Sequence, residues 1–232
     1  MRIAIIGNGR MGKAVAALAP KRGHSVHTVV VRVENAAGRA LTRERLSGAD
    51  VAVEFTRPDA VVKNLERLIE LGIPTVTGTT GWDLELSRVT DLVLQQGGAL
   101  LHAANFSVGV HLFFQAAREL ARAFRGRPEF TGFIAEEHHK AKLDVPSGTA
   151  LVLQRWLQAE EPGRKFPISS VRSGEALGTH SLTYQGQHET IALSHRTLDR
   201  QVFAAGALSA AEWLPGHPGV FTFEQMLFGA SK

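Results

Sequence analysis

Two stretches of this 232-residue chain concentrate residues that can do chemistry. The denser runs Glu136-Glu137-His138-His139-Lys140-Ala141-Lys142-Leu143-Asp144-Val145-Pro146-Ser147-Gly148-Thr149-Ala150. A histidine can give or take a proton near neutral pH, and a lysine can supply a fixed charge or a proton. Ser147-Gly148-Thr149 reads as a helix start that could bind a carboxylate through backbone N–H groups and hydroxyls. An anionic substrate whose reaction needs a proton fits this set. The second stretch, Gly7-Asn8-Gly9-Arg10-Met11-Gly12, is a G-x-G-x-x-G loop between an apolar run and a helical pattern. There Gly7 allows the tight turn, Gly9 the close approach of a pyrophosphate, and Gly12 the packing of helix on strand. The chemistry implied is binding of a dinucleotide at a helix N-terminus.

The elements that must position these groups follow from hydrophobic patterning. Apolar runs at Ile3–Ile6, Val26–Val33, Val51–Phe55, Ile73–Val76 and from Ala99 read as strands. Between them, helical spacing predicts helices from Met11 to about Leu18, from Asp59 to Gly72, and over about 83–95. Strands alternating with helices argue for a parallel sheet covered on both faces. After about Asn105 the rhythm changes. A long amphipathic helix is predicted over Gly109–Phe124, a strand over Glu129–His138, and a helix from the Ser147 cap to about Gln158. Antiparallel strands are predicted within 168–197, and a last helix over Arg200–Leu214. The fold class expected is α/β: a Rossmann-like parallel-sheet domain, plus an α+β domain with a mostly antiparallel open sheet. The expected division is 1–106 and 210–232 for the dinucleotide, and 107–209 for substrate, with hinges near 105–109 and 209–216.

Further cofactor contacts are expected at strand ends, where open α/β sheets bind ligands. These are Gly78, Thr79 and Thr80, then Ala103, Ala104, Asn105 and Phe106. Glu34 lies roughly 20 residues past the loop, where a carboxylate reads a ribose 2′-OH, and Arg32 beside it could hold a 2′-phosphate. The sequence leaves NADH and NADPH both open.

Composition narrows the class. There is no cysteine, which excludes disulfides, thiolate metal sites and a cysteine nucleophile. Lys and Arg number 26 against 22 Asp and Glu, a mild and scattered excess unlike the concentrated charge of nucleic-acid binders. No apolar run approaches the roughly 20 residues of a membrane span. A cytoplasmic protein without nucleic-acid or membrane partners is expected. The adjacent His138 and His139 would point to opposite faces of a strand, so no metal site is expected. His24, His111, His195 and His217 are expected in structural or solvent roles. Leu112, Phe113, Leu120 and the three tryptophans are expected in the core.

These segments resemble the dihydrodipicolinate reductase family over nearly the whole chain. The resemblance rests on Gly9-Arg10-Met11-Gly12, Gly78-Thr79-Thr80-Gly81, Asn105-Phe106-Ser107-Val108-Gly109 and Arg200-Gln201-Val202-Phe203-Ala204. Most specifically it rests on the match of 136–150 to E-x-H-H-x-x-K-x-D-x-P-S-G-T-A. The resemblance implies NAD(P)H-dependent reduction of a cyclic imine dicarboxylate, 4-hydroxy-tetrahydrodipicolinate, in lysine biosynthesis. It implies His138 and Lys142 as the proton-handling pair, His139, Ser147, Gly148 and Thr149 as substrate contacts, and a homotetramer. The chain departs from many members in its shorter first glycine loop and in a reduced segment between the second and third strands. Two other readings fit the N-terminal half. One is a different two-domain dehydrogenase, which would need no His-His-x-x-Lys string. The other is a nucleotide-sensing regulator, which would want a basic DNA-reading helix.

Overall fold

The computed structural model describes residues 1–229 and falls into two compact units, Met1–Ser107 with Gln201 onward, and Val108–Arg200. The first unit runs β1 (Arg2–Ile6), α1 (Arg10–Leu18), β2 (Ser25–Val30), α2 (Arg43–Leu46), β3 (Val51–Glu54), α3 (Pro58–Glu70), β4 (Thr75–Thr77), α4 (Leu86–Gln95) and β5 (Ala99–His102). The second holds α5 (Val108–Phe124), β6 (Thr131–His138), α6 (Gly148–Glu160), β7 (Ile168–Arg172), β8 (Thr179–Gln185) and β9 (Thr190–Arg196). The chain then re-enters the first unit through α7 (Gln201–Trp213), β10 (Gly219–Thr222) and α8 (Phe223–Phe228).

The six strands of the first unit are parallel, in the order β10-β5-β4-β3-β1-β2. Ile3–Ile6 and Val51–Val53 are wholly buried. Such continuous apolar runs are what a sheet covered on both faces requires. Strand order reverses at β1, which lies between β3 and β2, so the crevice beyond the ends of β1 and β3 is the expected ligand position.

Three sequence expectations change in this unit. Re-entry comes at Gln201, ahead of the expected boundary at 210. The reason is α7, whose buried Ala204, Gly206, Ala207, Ala210 and Ala211 let it lie close on the sheet and α1. At Gly206 a Cβ would stand 1.8 Å from the Phe106 carbonyl oxygen. Next, β2 stops at Val30 rather than Val33, because Glu34 and Asn35 donate their N–H groups back to the carbonyls of Val31 and Arg32 and form a turn. Val33 is left 93% exposed by that turn. Finally, β10 and α8 were not anticipated. Four residues are too few to show a period, and only pairing with β5 makes the strand.

In the second unit the sheet order is β7-β6-β8-β9. β6, β8 and β9 are antiparallel as expected, whereas β7 runs parallel to β6, because α6 and its following loop carry the chain back before β7 begins. Gly132, Ile134, Glu136 and His138 of β6 all face inward, following the two-residue period of a strand. Ile134, Leu182 and Tyr184 meet Phe113, Phe114, Ala117 and Phe124 of α5 and Leu153 and Leu157 of α6 in one apolar core. Leu112 departs from expectation: it lies on the outer side of α5 and is 53% exposed. Leu120 packs against that core, as does Trp156.

Candidate active site

In the first unit, the glycine loop meets its geometric requirements. Gly7 has φ +104°, and a Cβ there would lie 2.2 Å from the Phe55 carbonyl oxygen. A Cβ on Gly12 would lie 1.9 Å from the Gly7 carbonyl oxygen. Gly9, by contrast, opens into free space. It caps α1 without a side-chain acceptor, so the first N–H groups of that helix are left for an anion. A cleft of about 420 Å³ opens here, lined among others by Gly7, Asn8, Gly9, Arg32, Thr56 and Asn64. Arg10 and Met11 line an adjoining cleft with Gly78, Thr79 and Thr80. Ala103 and Ala104 face a third, beside Thr79, Thr80 and His102.

Not every expected contact is presented to a ligand. Glu34 does not line the main cleft. Its carboxylate accepts from the Val31 N–H and from Arg45, both at 2.8 Å, and these bonds hold its pKa below the usual value. Arg32 lines that cleft, and its guanidinium has no hydrogen-bond or ion-pair partner among the described residues. The Phe106 ring is buried between Phe55 and Phe223, and Asn105 accepts the Ser107 N–H at 2.8 Å. Those two side chains shape the turn.

In the second unit, the inward face of the sheet turns polar at one end. Register sets Glu136 opposite His180 on β8 and beside Ser170 on β7, and sets His138 beside Arg172. Glu136 is 2% exposed. One carboxylate oxygen accepts from the Ser147 N–H at 2.9 Å, the Ser170 hydroxyl at 2.7 Å and Arg172 at 2.8 Å. The other faces His138 Nδ1 at 3.1 Å. Burial alone would raise this carboxyl, but those donors outweigh it and bring its pKa down to about 2. Burial lowers the His138 pKa despite the opposing pull of Glu136, which favours the neutral imidazole. His138 Nδ1 and that Glu136 oxygen make no hydrogen bond, and the other ring nitrogen, Nε2, lies towards Gly178. Gly178 leaves room for that atom: a Cβ there would come within 3.0 Å of Nε2.

His180 was not singled out from sequence. It is 4% exposed, its ring lies edge-on to that of His138 at 5.1 Å, and its Nε2 is 3.2 Å from the Ser147 hydroxyl. Burial first, then His138, pushes its pKa down to about 4. Glu136, His138 and His180 bring three potential metal-ligand atoms within 4.8 Å of one another, although one Glu136 oxygen is already taken by Arg172. The signal for this grouping was an inward polar residue on each strand, but only the register joins them.

Ser147 is 1% exposed and satisfied internally: its hydroxyl accepts the Ala150 N–H as the cap of α6 and meets His180. It therefore shapes the helix start, whereas Gly148 is exposed and Thr149 half-buried. Lys142 pairs with Asp144 at 2.7 Å, and His139 is half-buried. Of the histidines expected in structural roles, His24 bonds Glu212 and His217 stacks on Trp213.

A parallel sheet with a glycine loop at its switch point in one unit and a buried Glu136–His138–His180 cluster in the other fit the class of nicotinamide-dependent oxidoreductases. The family model described as dihydrodipicolinate reductase, N-terminus, matches residues 1–106, and that described as its C-terminus matches 109–227. The chain belongs to the dihydrodipicolinate reductase family. It is 33% identical to the 4-hydroxy-tetrahydrodipicolinate reductase of Christiangramia forsetii, over 98% of each chain. It is 36% identical to the protein of that name from Methanopyrus kandleri, over 79% of this chain and 73% of the other. In fold it is similar to the dipicolinate-bound dihydrodipicolinate reductase of Paenisporosarcina sp. TG-14. The TM-score is 0.80 at 22% identity, covering 97% of this chain and 99% of that one.

Proposed function

We propose that this chain reduces 4-hydroxy-tetrahydrodipicolinate to tetrahydrodipicolinate in lysine (diaminopimelate) biosynthesis, in the cytoplasm. The observation that supports this reading is the buried cluster of Glu136, His138 and Ser147 from the family's most specific string, joined by His180 of β8 through a ring contact with His138 and a hydrogen bond to the Ser147 hydroxyl. Gly7 to Gly12, with Thr79, Thr80, Ala103 and Ala104, would hold the dinucleotide, and Arg10 and Met11 adjoin it. A bound reduced nicotinamide would supply the hydride to the substrate ring at the carbon that loses the hydroxyl. Gly148 and Thr149, on the turn that Ser147 fixes, receive one substrate carboxylate through the N-terminus of α6. His139 contacts the substrate at its other end. Lys142, oriented by Asp144, delivers the proton, and neutral His138 takes or relays it through Nε2. One hydride and one proton enter, and the 4-hydroxyl leaves as water.

Between cofactors, we infer a preference for NADPH. Glu34 is occupied by Arg45 and by the Val31 N–H, so it is not offered to a ribose 2′-OH. Arg32 is free to meet a 2′-phosphate. We also infer assembly as a homotetramer through the outer face of the second sheet. Phe133 and Val171 lie only partly covered on that face. Following loss of reduced-cofactor absorbance with NADH, NADPH and freshly made imine substrate tests the activity, and light scattering tests the assembly.

A further inference from the structure

Glu54 ends β3 with its side chain wholly buried and has no ion-pair partner among the described residues. Four donors converge on it instead. Thr77 and Thr79 give hydroxyl bonds to one oxygen at 2.6 and 2.8 Å. The other oxygen takes the Thr56 hydroxyl and, at 3.4 Å, the Asn64 amide. The network continues outward from this carboxyl. Asn35 donates to Asn64 at 2.8 Å and accepts the Ala40 N–H at 3.1 Å, and the Thr56 N–H donates to the Thr79 hydroxyl at 2.8 Å.

These partners are the walls of the cofactor clefts. Asn35, Thr56 and Asn64 line the main one, and Thr56 and Thr79 line its neighbour. A strand end packed among apolar residues does not need an acid, and burying one is unfavourable unless its bonds are satisfied. A carboxyl here fastens three separate segments, the turn after β3, the turn after β4 and the middle of α3, at one point.

We propose that Glu54 is a positioning residue for the dinucleotide: it fixes both cofactor-cleft walls in their binding geometry without touching the ligand. The proposal rests on the cofactor reading above. It predicts a split between affinity and turnover, since the reacting groups lie elsewhere.

The test measures Kd for NADH and NADPH, together with kcat at saturating cofactor, in the full chain. The variants are Glu54→Gln, Glu54→Ala and Thr77→Val. Thr77 donates to Glu54 and lines none of the clefts described, and valine keeps its shape. Glu54→Ala is expected to raise both Kd values about tenfold or more, with kcat within about threefold of wild type. Glu54→Gln, which keeps an acceptor and the shape, is expected to recover most of the affinity. Thr77→Val is expected to weaken binding about threefold, and it decides the matter should Glu54→Ala not fold. Wild-type Kd values in folded Glu54→Ala, or in Thr77→Val, overturn the positioning role. Wild-type protein that binds neither dinucleotide overturns the cofactor reading itself and takes this proposal with it.

Discussion

The second carboxylate oxygen of Glu136 lies 3.1 Å from Nδ1 of His138, while its first is held by Arg172 at 2.8 Å. One buried anion thus faces an imidazole and balances a guanidinium. Removing it leaves Arg172 without its partner. Glu136→Ala is therefore expected to destabilise the second unit by about 3–5 kcal/mol, the range for breaking a buried pair from one side. Urea unfolding followed by circular dichroism measures it.

Acid stability follows from the same cluster. His180 titrates near 6.5 when unfolded and at about 4 when folded, so the unfolded chain binds the proton first. Its contribution is complete above pH 6.5 and is lost as pH falls towards 4. Glu136 drops from 4.5 to about 2 on folding, so its contribution is complete above 4.5 and fades as pH falls towards 2. Urea midpoints are expected to decline below pH 6.5 and more steeply below 4.5. His180→Gln should flatten the first limb.

The proposed NADPH preference rests on Arg32. Arg32→Ala is expected to weaken NADPH by about 10- to 100-fold, the scale of one lost charge-assisted bond set, and to leave NADH nearly unchanged. Glu34→Gln should alter neither ratio much, because that carboxylate serves Arg45. Fluorescence titration of each reduced cofactor decides between the two residues.

The glycine loop makes a steric prediction. In Gly12→Ala the new methyl would meet the Gly7 carbonyl oxygen at 1.9 Å, so α1 must shift away from the loop. Overpacking of this kind costs about 1–3 kcal/mol. A lower melting temperature and weakened binding of both dinucleotides are expected together. Gly9→Ala has open space on the protein side and should impair binding with little loss of stability.

Much of this arrangement was legible in the chain because it is local. The apolar run Ile3–Ile6, the glycines after it and the Ser147 cap each announce themselves within a few residues. What escaped depends on pairing across distance. His180 joins the Glu136–His138 cluster only because β8 lies in register with β6, and Glu54 looks like the polar end of a strand until Thr77, Thr79 and Asn64 gather on it. Phe106 and Ser147 show the converse. Motif position marked both for ligand contact and did not show that the Phe106 ring is buried and the Ser147 hydroxyl caps a helix.

The central claim is that His138 and Lys142 carry the proton chemistry while the glycine loop carries the dinucleotide. The most direct test is steady-state turnover of the imine dicarboxylate by His138→Ala and Lys142→Ala, with NADPH and NADH affinities measured in parallel. Each variant is expected to lose about 10²- to 10⁴-fold in kcat, the range for general acid–base groups, with cofactor Kd near wild type. Wild-type turnover in both variants would contradict the assignment.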